Sequence, residues 1–394
     1  MKKVLIIPSW YPTYSSPYLG IFFKIQTELM LSGYDMKVLA GKEVLYGRKK
    51  FLKYLTSPQI HKIQNYFIQT DYLESFEYKQ AAFKSIKNQL NEAAKAYWLA
   101  TKTYFINNNW KPDLVHAHDV FWGGYYANYI AKKLGTPSII THHNPLIFNN
   151  FSNIKKELFK QTIENTNELL CVSNFDKRTL LISGYDCNPH FVGNFIDEEK
   201  FKLKSDFQAE DDIFKIFSVG IASKRKDFPT LLKAINYLVY DLNQKNILLT
   251  LNISDKIADG VSLDDIKKMA IDLKIDSYCR FVKDLSLQEL VNHYQNANVF
   301  VSSSYFETFG VAVCEAMCCG TPVIAVNNGG IDDIINYKNG IRISIGDHIN
   351  MALAISDLKN KNLTFSAETV RDSIVTKYGR LEFFKRISDI YDRF

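Results

Sequence analysis

The 394-residue chain has no apolar run approaching the roughly 20 residues needed to cross a bilayer. Its six cysteines, at 171, 187, 279, 314, 318 and 319, form no C-x-x-C pair and no disulfide-like spacing. Reduced thiols are therefore expected, and neither a redox nor a metal role is assigned to them. No D-x-D occurs, so the paired acids that often hold a divalent metal are missing. No G-x-G-x-x-G follows the first strand candidate, which argues against a dinucleotide oxidoreductase. Internal repeats and low-complexity tracts are lacking too. The opening MKKVLIIPSW has a basic tip and an apolar stretch, but Pro8 and Trp10 interrupt it. It reads as a buried first strand and not as a signal peptide, so the expected location is cytoplasmic.

The length suits two domains with separate cores. Charge is uneven: residues 1–197 carry 23 Lys+Arg against 15 Asp+Glu, and the remainder 25 against 27. Part of the excess is local. Between Val44 and Thr70 there is no acidic residue, while Arg48, Lys49, Lys50, Lys53 and Lys62 alternate with Tyr46, Phe51, Tyr54, Tyr66 and Phe67. Such a segment suits the anionic surface of a membrane, here its inner face. A plain solvated face is the rival reading, and nucleic acid is not expected as a partner.

Strand and helix patterns alternate in both halves, which predicts parallel, doubly wound α/β sheets. In the first half the strands are VLIIPS, Met36–Ala40, Leu114–Ala117, Ser138–Thr141 and Leu169–Val172. Helices are expected over Ile21–Ser32 and roughly Lys84–Asn107. The second half restarts at Lys215–Val219, with a helix over Leu232–Asn243 and strands at Leu248–Ile253 and Val299–Ser303. This predicts an N-terminal domain over 1–197, a polar linker over 198–212 and a C-terminal domain over 213–375. An amphipathic helix closes the chain from about Tyr378.

Residues 307–330, ETFGVAVCEAMCCGTPVIAVNNGG, carry the most information. Glu307 falls in the loop after a strand, and Glu315 about a turn into a helix that begins near Val311. Between them Thr308, Phe309 and Gly310 bring free backbone N–H groups to a helix N-terminus, where an anion can sit. Carboxylates that can hold sugar hydroxyls beside amides that can hold phosphate point to a nucleotide-activated sugar.

This segment, with S-x-x-E-T-F-G before it and G-T-P-V-I-A within it, resembles the donor-site signature of retaining glycosyltransferases of the GT-B fold, family 4. The resemblance extends over nearly the whole chain. It implies two Rossmann-like domains facing a cleft, the first binding acceptor and the second a nucleotide-sugar. The last residues, 376–394, would form a helix crossing back to the first domain. It also implies a UDP-sugar donor, a glycan or lipid-linked acceptor, a role in surface polysaccharide synthesis, and no cofactor or metal.

Residue by residue, the resemblance makes Glu307 a contact to the transferred sugar and Glu315 a contact to the ribose. Thr308, Phe309, Gly310 and Val311 would serve the diphosphate. Lys226, counted from Gly220 in FSVGIASKRKDF, matches the diphosphate-binding lysine; Ile221 stands where the family often has arginine, leaving Lys224 or Arg225 to compensate. Gly20 would approach the donor phosphate. His118, in V-H-A-H, matches a histidine beside the reacting sugar, whereas His116 reads as a core histidine. His143 matches a rim histidine, with Asn144 next to it. Glu307, His118 and Lys226 are thus the expected catalytic residues. Asn194 and Asp197 match a hinge segment. Two further departures, Asn252-Ile253-Ser254-Asp255 and Phe281-Val282-Lys283, replace glycine-bearing turns and leave base recognition near 282–287 unassigned. Other readings remain: a metallohydrolase built on His116, His118, Asp119, His142 and His143, a UDP-sugar epimerase, or a nucleotide-sugar binder without transfer activity.

Overall fold

The computed structural model describes residues 1–144, 151–204, 212–257 and 259–394. It divides into two units, Met1–Phe195 with Phe384–Phe394, and Ile196–Phe383. In the first unit the elements are β1 (Lys3–Pro8), α1 (Ile21–Met30), β2 (Asp35–Tyr46), α2 (Phe51–Thr56), β3 (Ile60–Lys62), β4 (Leu73–Ala81), α3 (Ile86–Tyr104), β5 (Leu114–His118), α4 (Tyr125–Leu134), β6 (Ser138–His142), α5 (Asn153–Glu164), β7 (Glu168–Cys171), α6 (Asn174–Ile182) and β8 (His190–Phe191). Sheet order is β3-β4-β2-β1-β5-β6-β7-β8, parallel apart from β3. Strand β1 is buried from Val4 onward and β5 at every residue, His116 and His118 included, as parallel strands covered on both faces must be.

The second unit holds β9 (Phe214–Ala222), α7 (Phe228–Tyr240), β10 (Ile247–Ile257), α8 (Leu263–Asp272), β11 (Cys279–Val282), α9 (Leu287–Asn296), β12 (Val299–Ser302), α10 (Val311–Cys318), β13 (Val323–Val326), β14 (Gly340–Ile343), α11 (His348–Lys359) and α12 (Ala367–Tyr378). Its sheet runs β11-β10-β9-β12-β13-β14, all parallel. In each sheet the order reverses direction at one place, between β1 and β5 and between β9 and β12. Open α/β sheets bind ligands at that switch point, beyond the carboxyl ends of the strands. Among the described residues no helix is long and apolar enough to cross a membrane. The cysteines are unpaired; Cys314, Cys318 and Cys319 are buried, and burial raises their thiols.

The boundaries differ from those predicted. Residues 205–211, the middle of the expected linker, lie outside the described residues, but 198–204 are not a free linker. Phe201 is buried, and the Arg371 guanidinium donates to the carbonyls of Phe201, Glu198 and Cys318. The terminal helix also starts later. Gly379 separates α12 from α13 (Arg380–Tyr391). The Glu198 carboxylate accepts from the Arg380 N–H at 2.9 Å, and Arg380 pairs with Asp197 at 3.2 Å. These bonds keep 376–383 in the second unit, and only Phe384–Phe394 joins the first.

There Tyr391 is fully buried, its hydroxyl 2.6 Å from His116 Nδ1, while His116 Nε2 meets Thr141 Oγ1 at 2.8 Å. Burial drives the His116 imidazole down to about 3, so the ring is neutral. Tyr391→Phe leaves a buried ring nitrogen unpaired and is expected to cost about 1–3 kcal/mol. Urea unfolding of the two proteins measures this; matching midpoints would show that the bond is energetically idle.

Candidate functional site

In the second unit the switch point lies between the loop after β9 and the loop after β12. The first begins with one 3₁₀ turn, Lys224–Lys226, and ends at Asp227, whose side chain accepts from the Thr230 N–H and hydroxyl and so caps α7. The second loop is bonded to the first: Tyr305 N–H donates to the Arg225 carbonyl at 3.1 Å and the Ser303 hydroxyl to the Lys226 carbonyl at 2.9 Å. Side chains complete the junction. Lys226 Nζ lies 2.6 Å from Glu307 Oε1, and Arg225 Nη1 lies 2.9 Å from Glu307 Oε2 and 3.0 Å from the Phe306 carbonyl. The Lys226 stem crosses Gly220, where a Cβ would meet it at 3.1 Å. Burial works to raise the Glu307 carboxyl, but Lys226 and Arg225 outweigh it and hold it below its ordinary range. Glu307 is thus an ionised carboxylate under two cations, its side chain 14% exposed.

Beyond Glu307 the chain turns into α10. Gly310 takes φ 93°, a left-handed conformation that glycine tolerates best, and a Cβ there would come within 2.6 Å of the Ile331 side chain. The first N–H groups of α10, from Val311 onward, have no intrahelical acceptor, so the helix start can receive an anion. Gly330 lies under the same loop; a Cβ there would be 2.5 Å from the Glu307 carbonyl and 2.7 Å from the Phe309 nitrogen. The Phe309 ring turns inward against Tyr378 at 5.0 Å, leaving only its backbone to a ligand. One turn along α10, partly exposed Glu315 accepts a 2.9 Å bond from the Tyr294 hydroxyl of α9. Burial pushes the Glu315 carboxyl up to about 7, with Tyr294 opposing.

In the first unit the switch point is polar and packed. Gly20 begins α1 at φ 72°, with the Trp10 carbonyl 2.9 Å from where a Cβ would be. His118 ends β5, stacked on Phe23 at 4.5 Å, with Nδ1 3.1 Å from His143 Nε2. Burial holds both imidazoles well below their usual value. Asp119, next along, adopts φ 79° and ψ 146°, a costly backbone for a residue with a side chain. Its carboxylate accepts from His142 Nδ1 at 3.0 Å and from Asn144 Nδ2 at 2.6 Å, so it grips both neighbours of His143. Burial opposes protonation of His142, but Asp176, 3.9 Å away, and Asp119 outweigh it and raise the imidazole. Ser9 closes the loop by donating to the Phe121 carbonyl at 2.6 Å and accepting from Gly123 N–H at 3.0 Å.

The residues singled out from sequence therefore fall into two sets. Gly220, Lys226, Glu307, Thr308, Phe309, Gly310, Val311 and Glu315 line one junction in the second unit. Gly20, His118, His143 and Asn144 meet at the switch point of the first. Sequence reasoning did not find the Tyr294–Glu315 bond, whose partners stand 21 residues apart, or the Asp119 grip on His142 and Asn144. The metallohydrolase grouping does not assemble: both His116 nitrogens are taken by hydroxyls, and no group of three or more potential metal ligands converges among the described residues.

Residues 199–385 match the family model for glycosyl transferases group 1, and residues 74–200 that for glycosyltransferase family 4. D-inositol 3-phosphate glycosyltransferase of Corynebacterium jeikeium is 26% identical over 62% of this chain, a match spanning 64% of its own length. Alpha-monoglucosyldiacylglycerol synthase of Streptococcus pneumoniae is 23% identical over 75% of this chain and 70% of its own. Among solved structures, Anabaena HepE in complex with UDP superposes with a TM-score of 0.73 at 14% identity, covering all of both chains. That likeness is one of fold and matches the two parallel-rich sheets to the GT-B architecture. Between them the two family matches extend from residue 74 to 385, and the chain belongs to the group 1 glycosyltransferases of the family 4 type.

Proposed function

We propose that this chain is a retaining glycosyltransferase that moves a sugar from a UDP-sugar to a glycan or lipid-linked acceptor in surface polysaccharide synthesis. The observation that carries the reading is the junction at Glu307, where two cations, a helix N-terminus and two carboxylates meet at a sheet switch point. Charge developing on a departing diphosphate would be met by Lys226, Arg225 and the α10 amides, without a metal. Glu307 would accept hydroxyls of the transferred sugar and Glu315 those of the ribose. Gly20 would lie against the donor phosphate, and His118 and His143 beside the reacting sugar, with Asn144 near the acceptor. The acceptor proton would leave on the diphosphate itself. UDP as carrier is supported by the fold likeness to UDP-bound HepE, and a lipid acceptor by the name of the diacylglycerol relative. Binding without transfer, favoured by Ile221, or epimerisation, is the second reading; product analysis with a labelled UDP-sugar separates them.

Peripheral contact with an anionic membrane is part of the proposal. Helix α2 buries Tyr54, whose hydroxyl bonds Glu92, and turns Phe51, Leu52 and Leu55 to solvent. Arg48, Lys49, Lys50 and Lys53 flank that apolar arc, and all four are exposed. Such a helix lies in a headgroup layer.

Thermal shift with UDP, GDP and ADP tests the donor site, because a ligand bound only by the folded state raises its Tm. One nucleotide is expected to stabilise the protein with or without EDTA, and Lys226→Ala to abolish the shift. Silence toward all three would remove the donor reading.

Glu315 supplies a second test. Its carboxyl, raised from 4.5 to about 7, keeps its proton longer in the native than in the unfolded state. Stability from this group is therefore full below pH 4.5 and falls as pH rises toward 7. Glu315→Gln is expected to melt higher than wild type at pH 8, equally near pH 4.5, and to bind nucleotide on the order of tenfold more weakly. An equal melting difference at both pH values would refute the linkage.

Co-sedimentation with phosphatidylglycerol vesicles checks the membrane contact. Binding should fall with added salt and with Leu52→Asp/Leu55→Asp; indifference to both would count against α2.

A further inference from the structure

We propose that a cavity in the second unit, remote from the Glu307 junction, binds a small phosphorylated sugar. Its floor is one face of the sheet. Register sets Lys215 of β9 beside Leu248 of β10, and Phe217 beside Thr250, which in turn pairs with Arg280 of β11. Side chains alternate along a strand, so these five share a face. The opposite face, with Leu249, Leu251 and Ile253, packs into the core with α7 and α8. On the near face α9 lies over β9, its His293 ring stacked on Phe217 at 5.0 Å and 16°. Between α9 and β11 a cavity of about 430 Å³ opens, lined by Thr250 and Arg280. Small-molecule sites span roughly 300–1,000 Å³. The cavity lies at the amino-terminal halves of the strands. From Ile216 to Ala222, ahead of the turn that carries Lys226, β9 runs six residues, roughly 20 Å at 3.3 Å per residue. It is therefore no extension of the donor junction.

The lining is polar where a parallel sheet covered on both faces would be apolar. Thr250 is only 7% exposed, yet its hydroxyl has no hydrogen-bond partner among the described residues. A buried hydroxyl left so is costly, and a ligand oxygen would relieve it. Arg280, across the ladder, is exposed and has neither ion pair nor hydrogen bond among the described residues. Its planar fork of five N–H donors matches a phosphate. Lys215 adds a second cation, and Glu289 is the one carboxylate among the lining residues. Glu289 Oε2 is already engaged in capping α9, accepting from the Ser286 N–H and hydroxyl. Asn292 Oδ1 accepts from Gln288 at 2.9 Å, which leaves the Asn292 Nδ2 donors for ligand hydroxyls. Burial and then Arg280 hold the His293 imidazole below its ordinary value, so its flat, neutral ring continues the apolar wall begun by Phe217. Cations for a phosphate, a hydroxyl and an amide for a polyol, and a stacked wall for its carbon skeleton thus meet in one cavity.

The test titrates the full chain calorimetrically with ribose 5-phosphate, and with ribose and inorganic phosphate as controls. Arg280→Ala is expected to weaken ribose 5-phosphate on the order of tenfold or more, and the isosteric Thr250→Val on the order of threefold. Lys226→Ala, which disables the other phosphate-binding place, is expected to leave the affinity within about twofold. Absence of binding to wild type overturns the assignment. So does a loss in Lys226→Ala, which would put the probe at the Glu307 junction, or an affinity that Arg280→Ala leaves undiminished. Inorganic phosphate bound as tightly as ribose 5-phosphate overturns the assigned ligand class. Wild type that binds ribose 5-phosphate in this pattern but no nucleotide would uphold the cavity and remove the donor reading alone.

Discussion

The Glu307 carboxylate, caught between Lys226 and Arg225, is the interaction on which the second unit's site depends. It is a nearly enclosed anion, and such a charge is tolerated only when paired and hydrogen-bonded. The pairing joins two loops that the sheet places side by side but does not itself connect, since β9 and β12 share only a short stretch of ladder. Around that charge cluster the remaining parts find their places: Gly220 leaves room for the lysine stem, Gly330 supports the backbone of 307–309, and Gly310 lets the chain turn into α10.

The first unit solves the same topological problem differently. At its switch point histidines and acids replace the cation cluster, nearly all of them buried. Neutral His116, His118 and His143 follow one another across β5 and the end of β6, while His142 is drawn toward Asp119 and Asp176. The strained backbone at Asp119 is the local cost of that arrangement. Its amide donates to the Thr141 carbonyl at 2.7 Å and its carbonyl accepts from Gly124, so the conformation is held from both sides. Strain maintained at the carboxyl edge of a central strand is typical of places where geometry matters more than stability.

Much of this was legible in the sequence. The central strands announced themselves because buried parallel strands are continuous apolar runs, and α10 because a glycine turn precedes it. The 307–330 segment displayed its chemistry because local spacing fixes which side chains leave a strand end and which leave a helix. What escaped was of another kind. Strand β4, LESFEYKQA, follows the basic stretch and buries the polar Ser75 and Gln80, so neither an apolar run nor a clean alternation marks it, and its partnership with the long β2 shows only in three dimensions. The handover at Phe384 depends on Asp197 and Glu198, distant in sequence from the helix they anchor. That Arg225 and not Lys224 converges on Glu307 depends on the direction of two side chains in a single 3₁₀ turn, which no spacing rule encodes.

The path of the last helix sets an order of assembly. His116 sits on a central strand of the first sheet, yet its hydroxyl partner on one side is Tyr391, more than two hundred residues later in the chain. Lys2 donates to the Tyr391 carbonyl at 2.7 Å, so the second residue also waits for the same helix. As the polypeptide emerges from the ribosome, the first sheet can collapse early, but one face keeps an unsealed seam with a bare imidazole. The entire second unit must be made before the strip that closes it appears. The first domain to begin folding is thereby among the last to finish.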